Sequence, residues 1–312
     1  METLDIDSLR VVLDDKTRMV MAGILAGLMF TVALSLKLDD FKALRHNSYR
    51  VIGGVVAQIV ALPVLTMGLV ILLSPPASIA LGMIVVACCP GGNVSNVLTH
   101  YAQGNTAYSV SLTAISSVLS AIMTPISILF WSGLYPPTSI LVHTLHVEPW
   151  PFLSQTVSLL ALPLVLGMLF ASRFPETAAK MRKVLTPVSL FTLAGLVVAG
   201  TFGNWNIVLA AGVVVIPIVV IHNASAFGLG AVTGRLLRLD SKRRRALTFE
   251  VGIQNAGLGL LILLNQFDGL GGAAALTAMW SVWHLIAGGL LALAFRLKDR
   301  SDNKTMTLRE IT

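Results

Sequence analysis

Charged side chains are scarce in this sequence of 312 residues. Asp, Glu, Lys and Arg together make up 12% of it, about half the share of roughly 25% found in soluble domains. None of the four occurs in residues 51–147 or in residues 184–234. Apolar stretches of about 20 residues span a bilayer as helices. The scarcity of charge therefore excludes a cytosolic enzyme, a nucleic-acid-binding protein and a disordered chain.

Cysteine is also rare. The two cysteines, Cys88 and Cys89, are adjacent within an apolar stretch. Neighbouring cysteines make a poor structural disulfide, and two thiols do not define a metal site. We therefore predict neither a disulfide framework nor a thiolate metal centre.

Nine apolar segments make up most of the sequence. Lipid leaves no partner for an unpaired backbone group, so each segment is predicted to be a helix. The alternation of apolar and polar residues that marks a transmembrane β-strand is missing. We predict an all-α polytopic membrane protein with about nine transmembrane helices. The predicted spans one to nine cover residues 19–36, 49–73, 77–101, 106–134, 152–170, 184–202, 207–234, 246–267 and 273–296.

Basic residues are distributed unequally between the segments that join the spans. If the segment after span one faces the cytoplasm, 19 of the 22 Lys and Arg residues face it as well. The positive-inside rule then puts the N-terminus outside and the C-terminus in the cytoplasm. We predict an extracytoplasmic segment (1–18), a single transmembrane domain (19–296) and a cytoplasmic tail (297–312).

Two spans are interrupted near their middle. Pro90, which lacks an amide hydrogen, precedes two glycines in span three, and Gly252 precedes a polar pair in span eight. One such break alone is as consistent with helix packing as with a site. Two breaks with adjacent polar residues, one in each half of the chain, favour a substrate or ion site near the middle of the membrane. These polar residues are Asn93, Ser95, Asn96, Glu250, Gln254 and Asn255.

Glu250 is the one acidic residue that we place inside a span. A carboxylate in a membrane interior is costly and usually marks function. If the helix begins near Ser241, Glu250 lies roughly 13 Å along it at about 1.5 Å per residue. Position alone leaves two interpretations open: an ion or substrate site, or a shallow place where Glu250 pairs with the basic residues 243–245.

Further polar residues fall within the apolar spans. Ser109 and Thr113 are four residues apart in span four and so share one helical face, although hydroxyls there commonly bond back to the helix backbone. The other polar residues within the spans are Gln58 in span two, His222 and Asn223 in span seven, and His284 in span nine. For each of them, a role in helix packing and a role in an ion or substrate site both stay open.

The sequence resembles the bile acid:sodium symporter family over residues 19–296. The resemblance rests on six motifs in order: LKLDDF, CCPGGNVSNV, GNTAYSVSLT, VIHN, LTFEVGIQNAG and SVWH. It implies two Na⁺ ions behind the crossing of two broken helices. The implied ligands of sodium site one are Ser95, Asn96, Ser109, Thr113 and Glu250. Those of sodium site two are Gln58, Glu250 and Gln254, together with Val251 and Ile253 through their carbonyl oxygens.

The family fold consists of two inverted repeats of five helices, arranged as a core and a panel. The resemblance implies that spans two, three, four, seven, eight and nine form the core and that spans one, five and six form the panel. The first family helix has no counterpart in this sequence, so we expect the first repeat to have four helices.

An organic anion is the substrate that the resemblance implies, either bile acid-like or a smaller carboxylate. Bacterial members that transport bile acids have Asn after the histidine of the last span, where this chain has Leu285, and Thr where it has Asn93. The implied substrate-binding residues are Asn93, Asn255 and His284.

We therefore predict a sodium-coupled symporter that imports an organic anion by alternating access and is not an enzyme. Its expected location is the lipid bilayer of a bacterial inner membrane, with no nucleic-acid partner. One alternative is a proton-coupled or facilitative transporter of the same fold, in which Glu250 carries a proton. The other is a membrane receptor that binds an anion without moving it. The hydroxyl-rich face of site one favours Na⁺, and the lack of a soluble output domain in the sequence disfavours the receptor.

Overall fold

A computed structural model describes residues 6–11, 14–36, 48–203 and 205–311 of the chain. These residues form helices joined by short turns, with two isolated bridges, Arg10 to Leu270 and Gly91 to Gln254, so the all-α prediction is confirmed. Most of the LKLDDF motif falls in residues 37–47, outside the described residues. The helices are α1 (Asp15–Ala33), α2 (Ser48–Val56), α3 (Leu62–Leu73), α4 (Ala77–Cys88), α5 (Asn93–Tyr101), α6 (Thr106–Leu134), α7 (Pro136–Thr144), α8 (Pro149–Arg173), α9 (Pro175–Gly203), α10 (Trp205–Leu236), α11 (Ser241–Gly252), α12 (Ala256–Gln266) and α13 (Gly271–Ile311).

Six helical stretches of the described residues are long and apolar enough to cross a membrane, and they coincide with predicted spans one, two, four, five, seven and nine. They are Asp15–Ala33, Tyr49–Leu73, Thr106–Leu134, Pro149–Arg173, Gly212–Leu236 and Gly271–Ser301. Predicted spans three and eight are each divided into two shorter helices, α4 with α5 and α11 with α12, and predicted span six falls within α9. The chain is therefore a polytopic membrane protein, while the count of nine spans stays a prediction.

Asn and Asp side chains close the first turns of the helices that carry the site. The side-chain oxygen of Asn105, Oδ1, accepts a hydrogen bond from the Tyr108 backbone amide at the start of α6 (2.9 Å). The Asp240 carboxylate does the same for the Arg243 amide at α11 (3.0 Å), and Asn255 is the equivalent cap of α12. Such caps satisfy amides that have no partner within the helix.

A π-helical turn at Ala57–Ala61 joins α2 and α3 into one rod. The Leu62 amide bonds to the carbonyl of Ala57, five residues back, and Pro63 has no amide hydrogen to continue a regular ladder. The sequence pattern had not indicated this turn. It carries Gln58, which is 1% exposed, and π-helical turns are frequent at functional sites.

The broken helices lie between two packed groups of helices. The predicted panel helices α1, α8 and α9 pack against one another, and α1 and α8 share a buried apolar cluster with α4 and α12. A second cluster joins α4 to α2, α3, α10 and α13. This packing is what a division into panel and core requires, and the division itself stays a prediction.

Candidate functional site

The two helix breaks lie against each other inside the bundle. The Gly92 amide donates to the Ile253 carbonyl (3.2 Å), and the Asn255 amide donates to the Pro90 carbonyl (2.8 Å). These reciprocal bonds satisfy backbone groups that unwinding would otherwise leave unpaired, as a membrane interior demands. We call the two unwound segments, residues 90–92 and 253–255, the crossing.

Gly91 gives the Glu250 carboxylate its place beside the crossing. A Cβ atom at position 91 would overlap that carboxylate, whereas one at Gly92 would meet only ordinary contacts at 3.5 Å or more. The first glycine is therefore required by a close approach of backbone and side chain, which only a residue without a side chain allows.

The Glu250 carboxylate is buried among hydroxyl groups. Its side chain is 1% exposed. The Ser95 hydroxyl donates to Oε2 (2.7 Å), and the Thr113 hydroxyl lies 2.8 Å from both carboxylate oxygens. One hydroxyl proton cannot satisfy two oxygens at once, so the pocket holds more oxygen lone pairs than donated protons.

The interpretation that Glu250 pairs with the basic residues 243–245 is wrong. Arg245 instead binds the Asp299 carboxylate through both terminal nitrogens (2.6 and 2.5 Å) and also donates to the carbonyl of Ala102 (2.8 Å). Arg243 lies 3.5 Å from Asp240. Within the described ranges Glu250 has no basic partner, and the acceptors of Arg243 and Arg245 lie away from it, toward the start of α11.

The five residues predicted for sodium site one come together around this carboxylate. Besides the bonds from Ser95 and Thr113, the Asn96 side-chain oxygen lies 3.3 Å from the Thr113 hydroxyl, and the Ser109 carbonyl accepts from that hydroxyl (3.1 Å). Oxygen atoms from α5, α6 and α11 thus converge. Hard cations prefer such a set of carboxylate, amide and hydroxyl oxygens.

Most of the residues predicted for sodium site two gather around the side chain of Gln254. The side-chain NH2 group of Gln58 donates to Gln254 Oε1 (2.6 Å) and to the Cys89 backbone carbonyl (3.2 Å). The side-chain NH2 group of Gln254 donates to the Val251 backbone carbonyl (2.7 Å). Gln58 Oε1 is buried without a hydrogen-bond partner in the part of the chain that the structure describes. The Ile253 carbonyl, the remaining predicted backbone ligand, accepts from Gly92 as given above. The described contacts of the Glu250 carboxylate are with site one, so its shared role stays a prediction.

A cavity of about 250 Å³ borders the crossing, and residues of both unwound segments line it. The predicted substrate residues Asn93, Asn255 and His284 all line it. Asn93 is exposed, Asn255 Oδ1 caps α12 at 3.2 Å, and His284 is buried with Nδ1 2.5 Å from the Trp280 carbonyl. The lining residues are neutral, and the first residues of α5 and α12 are among them.

Several polar residues at the site were not predicted from the sequence. The Thr99 hydroxyl donates to the Ser109 hydroxyl (3.3 Å), and Thr99 follows Ser95 by four residues, a spacing that could have revealed their common face. The cavity also has hydroxyl groups that were not predicted. They belong to Thr31, Ser117, Ser120, Thr124, Thr186, Ser189 and Ser281.

His222 and Asn223, left open by the sequence, have separate roles. His222 Nε2 lies 2.7 Å from the Thr66 hydroxyl, and its ring is tilted against that of Trp280 at 4.6 Å. The Asn223 amide donates to the Gly252 carbonyl (2.8 Å). His222 therefore binds the surrounding helices, and Asn223 binds the broken one.

Comparison with known proteins gives relatives along most of the chain. The model of the Sodium Bile acid symporter family matches residues 22–211. An uncharacterized sodium-dependent transporter, YocS of Bacillus subtilis, is 36% identical over 265 residues, which are 85% of this chain and 79% of the relative. A probable sodium/metabolite cotransporter of rice chloroplasts, BASS2, is 30% identical over 285 residues, which are 91% of this chain and 65% of the relative. The human sodium-dependent organic anion transporter is 26% identical over 308 residues, 94% of this chain and 77% of the relative.

The family model covers the first broken span, α4 with α5, and ends before α11 begins. The relatives are transporters, so this integral membrane protein is a transporter and not an enzyme. The family model covers more than half of the chain, and a bacterial relative is similar over most of its length. The chain belongs to the sodium bile acid symporter family.

Proposed function

We propose that the protein is a sodium-coupled symporter that imports an organic anion by alternating access. The observation that carries the proposal is the Glu250 carboxylate, buried without a basic partner in the described ranges among more oxygen lone pairs than protons. An isolated carboxylate in a membrane interior is costly unless a cation neutralises it. Na⁺ supplies the positive charge and accepts the surplus oxygen atoms as ligands.

Two sodium ions are proposed, one on each side of Glu250. Site one consists of Ser95, Asn96, Ser109, Thr113 and Glu250. Site two consists of Gln58, Glu250 and Gln254 with the carbonyls of Val251 and Ile253. In support of site two, Gln58 Oε1 is buried and unpartnered in the described structure. For an ion to bind the Val251 carbonyl oxygen, the side-chain NH2 group of Gln254 must first release that oxygen.

The crossing gives a physical basis for coupling Na⁺ binding to anion binding, because its residues border both the proposed ion sites and the cavity. Two sodium ions beside one carboxylate leave a net charge of +1, which attracts an anion into the neighbouring cavity. The amide ends of α5 and α12 face the same cavity and favour negative charge. Ion binding at the crossing and anion binding in the cavity then stabilise the same conformation.

The cavity favours the smaller of the two substrate classes. Its volume of about 250 Å³ lies below the roughly 300–1,000 Å³ of pockets that enclose drug-sized ligands. We propose a small carboxylate, with its charged end near Asn93, Asn255 and His284. Movement of the core past the panel helices α1, α8 and α9 would then expose the cavity to each side in turn.

The placement in the membrane follows from the basic residues. We propose a bacterial inner membrane with the N-terminus outside and the C-terminus in the cytoplasm. The six basic residues from Arg235 to Arg245, both included, then lie on the cytoplasmic side, from the end of α10 to the start of α11. In this orientation α5 and α11 form the cytoplasmic halves of the two broken spans.

Uptake into proteoliposomes tests the proposal. The substrates are radiolabelled carboxylates from pyruvate to cholate, offered under an imposed Na⁺ gradient or an imposed pH gradient. We expect the Na⁺ gradient to drive accumulation of a small carboxylate above equilibrium. Accumulation under the pH gradient alone would establish proton coupling instead, and binding without accumulation would establish a receptor.

A further inference from the structure

One face of α10, within residues 223–234, contacts α11 from Arg244 to Gly252. Asn223, Phe227, Gly230 and Gly234 follow at intervals of four, three and four residues, the spacing of a single helical face. A Cβ atom at Gly230 would come within 2.7 Å of the Leu247 carbonyl oxygen. Small residues at such positions let the backbones of two membrane helices approach closely.

Asn223 lies where this face reaches the last residue of α11. Its side chain is fully buried, and its amide nitrogen donates to the Gly252 carbonyl at 2.8 Å. The other side-chain atom, Oδ1, is buried without a hydrogen-bond partner in the described parts of the chain. The amide group is therefore oriented by the Gly252 carbonyl, since the reverse orientation would set two oxygens against each other.

The bonded carbonyl lies between the two backbone oxygens proposed for sodium site two. The last carbonyls of a helix lack partners within it, and their directions depend on whatever binds them. Here the Val251 carbonyl accepts from the Gln254 side chain, and the Ile253 carbonyl accepts from the Gly92 amide. The Gly252 carbonyl is tied to a different element, the intact helix α10.

We propose that Asn223 is a positioning residue for sodium site two. Its amide fixes the Gly252 carbonyl, so the carbonyls of Val251 and Ile253 on either side keep their direction toward the ion. The bond from α10 persists when Gln254 releases the Val251 carbonyl for Na⁺. The inference rests on the proposed function, because it assigns a role toward an ion site proposed there.

Replacement of Asn223 by alanine removes the amide and leaves every proposed ligand in place. Groups that orient metal ligands typically contribute 10- to 100-fold to affinity. We therefore expect Asn223→Ala to raise the Na⁺ concentration for half-maximal thermal stabilisation at least tenfold. The Hill coefficient for Na⁺ should fall toward 1, because only site two is weakened. Full stabilisation should return at saturating Na⁺.

Asn265→Ala is the matched control. The Asn265 amide also donates to a backbone carbonyl, that of Leu261 at 2.9 Å, but within its own helix α12 and away from the crossing. Asn223→Ser is measured in parallel, since it keeps a polar group in the bundle while its shorter side chain withdraws the bond to Gly252. We expect the serine variant to shift the Na⁺ midpoint in the same direction and the control to keep the wild-type value.

Two results separate failure of this inference from failure of the proposed function. If both Asn223 variants melt at a lower temperature without Na⁺ but keep the wild-type Na⁺ midpoint and Hill coefficient, Asn223 is only structural and the inference is wrong. If the wild-type protein itself shows no stabilisation by Na⁺, the ion sites are absent and the proposed function fails with it.

Discussion

Replacement of Glu250 by glutamine changes the charge at the crossing and little else. Glutamine has the shape of glutamate and keeps one acceptor oxygen for the hydroxyls of Ser95 and Thr113, which lie 2.7 and 2.8 Å from the carboxylate. Its NH2 group can donate to the other hydroxyl oxygen. The negative charge that would hold Na⁺ is lost. Without Na⁺ we expect the variant to be at least as stable as the wild type, because it no longer buries an unpaired charge.

The magnitude follows from the charge interaction. Two unit charges about 4 Å apart attract by about 4 kcal/mol at an effective dielectric constant of about 20. About 1.4 kcal/mol corresponds to a factor of ten in affinity, so the variant should bind Na⁺ about a thousandfold more weakly. A Na⁺ concentration of 100 times the wild-type Kd stabilises by about 2.7 kcal/mol. For a chain of this size that is roughly 5 °C in Tm.

Thermal unfolding of the purified protein in Na⁺ and in K⁺ measures the difference. The wild type should melt roughly 5 °C higher in Na⁺, and Glu250→Gln should melt at the same temperature in both salts. Glu148→Gln is the control, because Glu148 is exposed at the start of α8 and should keep the full Na⁺ effect. A normal Na⁺ effect in Glu250→Gln would refute the assignment of this carboxylate to an ion site.

Three further variants test the surroundings of the site. Gly91→Ala forces a Cβ atom into the Glu250 carboxylate and should destabilise the protein by about 1–3 kcal/mol in thermal unfolding. Gly133→Ala, with open space around the new atom, should not, and equal losses would show that the close approach is unimportant. Arg245→Ala breaks hydrogen bonds to a carboxylate and a carbonyl and should cost about 1.5–3 kcal/mol with no change in the Na⁺ midpoint. A shifted midpoint would instead link Arg245 to the ion site. Asn93→Ala should raise the anion concentration for half-maximal uptake and leave stabilisation by Na⁺ intact, and an unchanged anion response would remove Asn93 from the substrate site.

The helix breaks were predictable from local chemistry. Proline removes a backbone donor and the following glycines remove side-chain constraint, so the end of α4 at Cys88 and the start of α5 at Asn93 could be read directly from the sequence. The same holds for Gly252 at the end of α11. These effects operate within a few residues and need no knowledge of the fold.

The assembly of the site was not predictable in this way. Ser95 and Thr113 reach Glu250 across 155 and 137 residues, and no local pattern encodes that approach. Their grouping came from the resemblance to a family. The π-helical turn around Gln58 also escaped prediction, because the residues of that segment suit an ordinary α-helix.

The position of Asn223 depended on packing between helices. The asparagine stands in a span without charged residues, where a hydrogen bond for packing was an equally good interpretation. Only the contact between α10 and α11 shows that its amide meets the Gly252 carbonyl. In the same way, the Arg245–Asp299 pair had to be located before Glu250 could be separated from the basic residues near the start of α11.

Equilibrium binding of radioactive ²²Na⁺ to the purified protein tests the central claim most directly. The account predicts saturable binding that approaches two ions per chain in the wild type and is lost in Glu250→Gln. Absence of saturable binding in the wild type, or equal binding by wild type and Glu250→Gln, would contradict a sodium site at the crossing of the two broken helices.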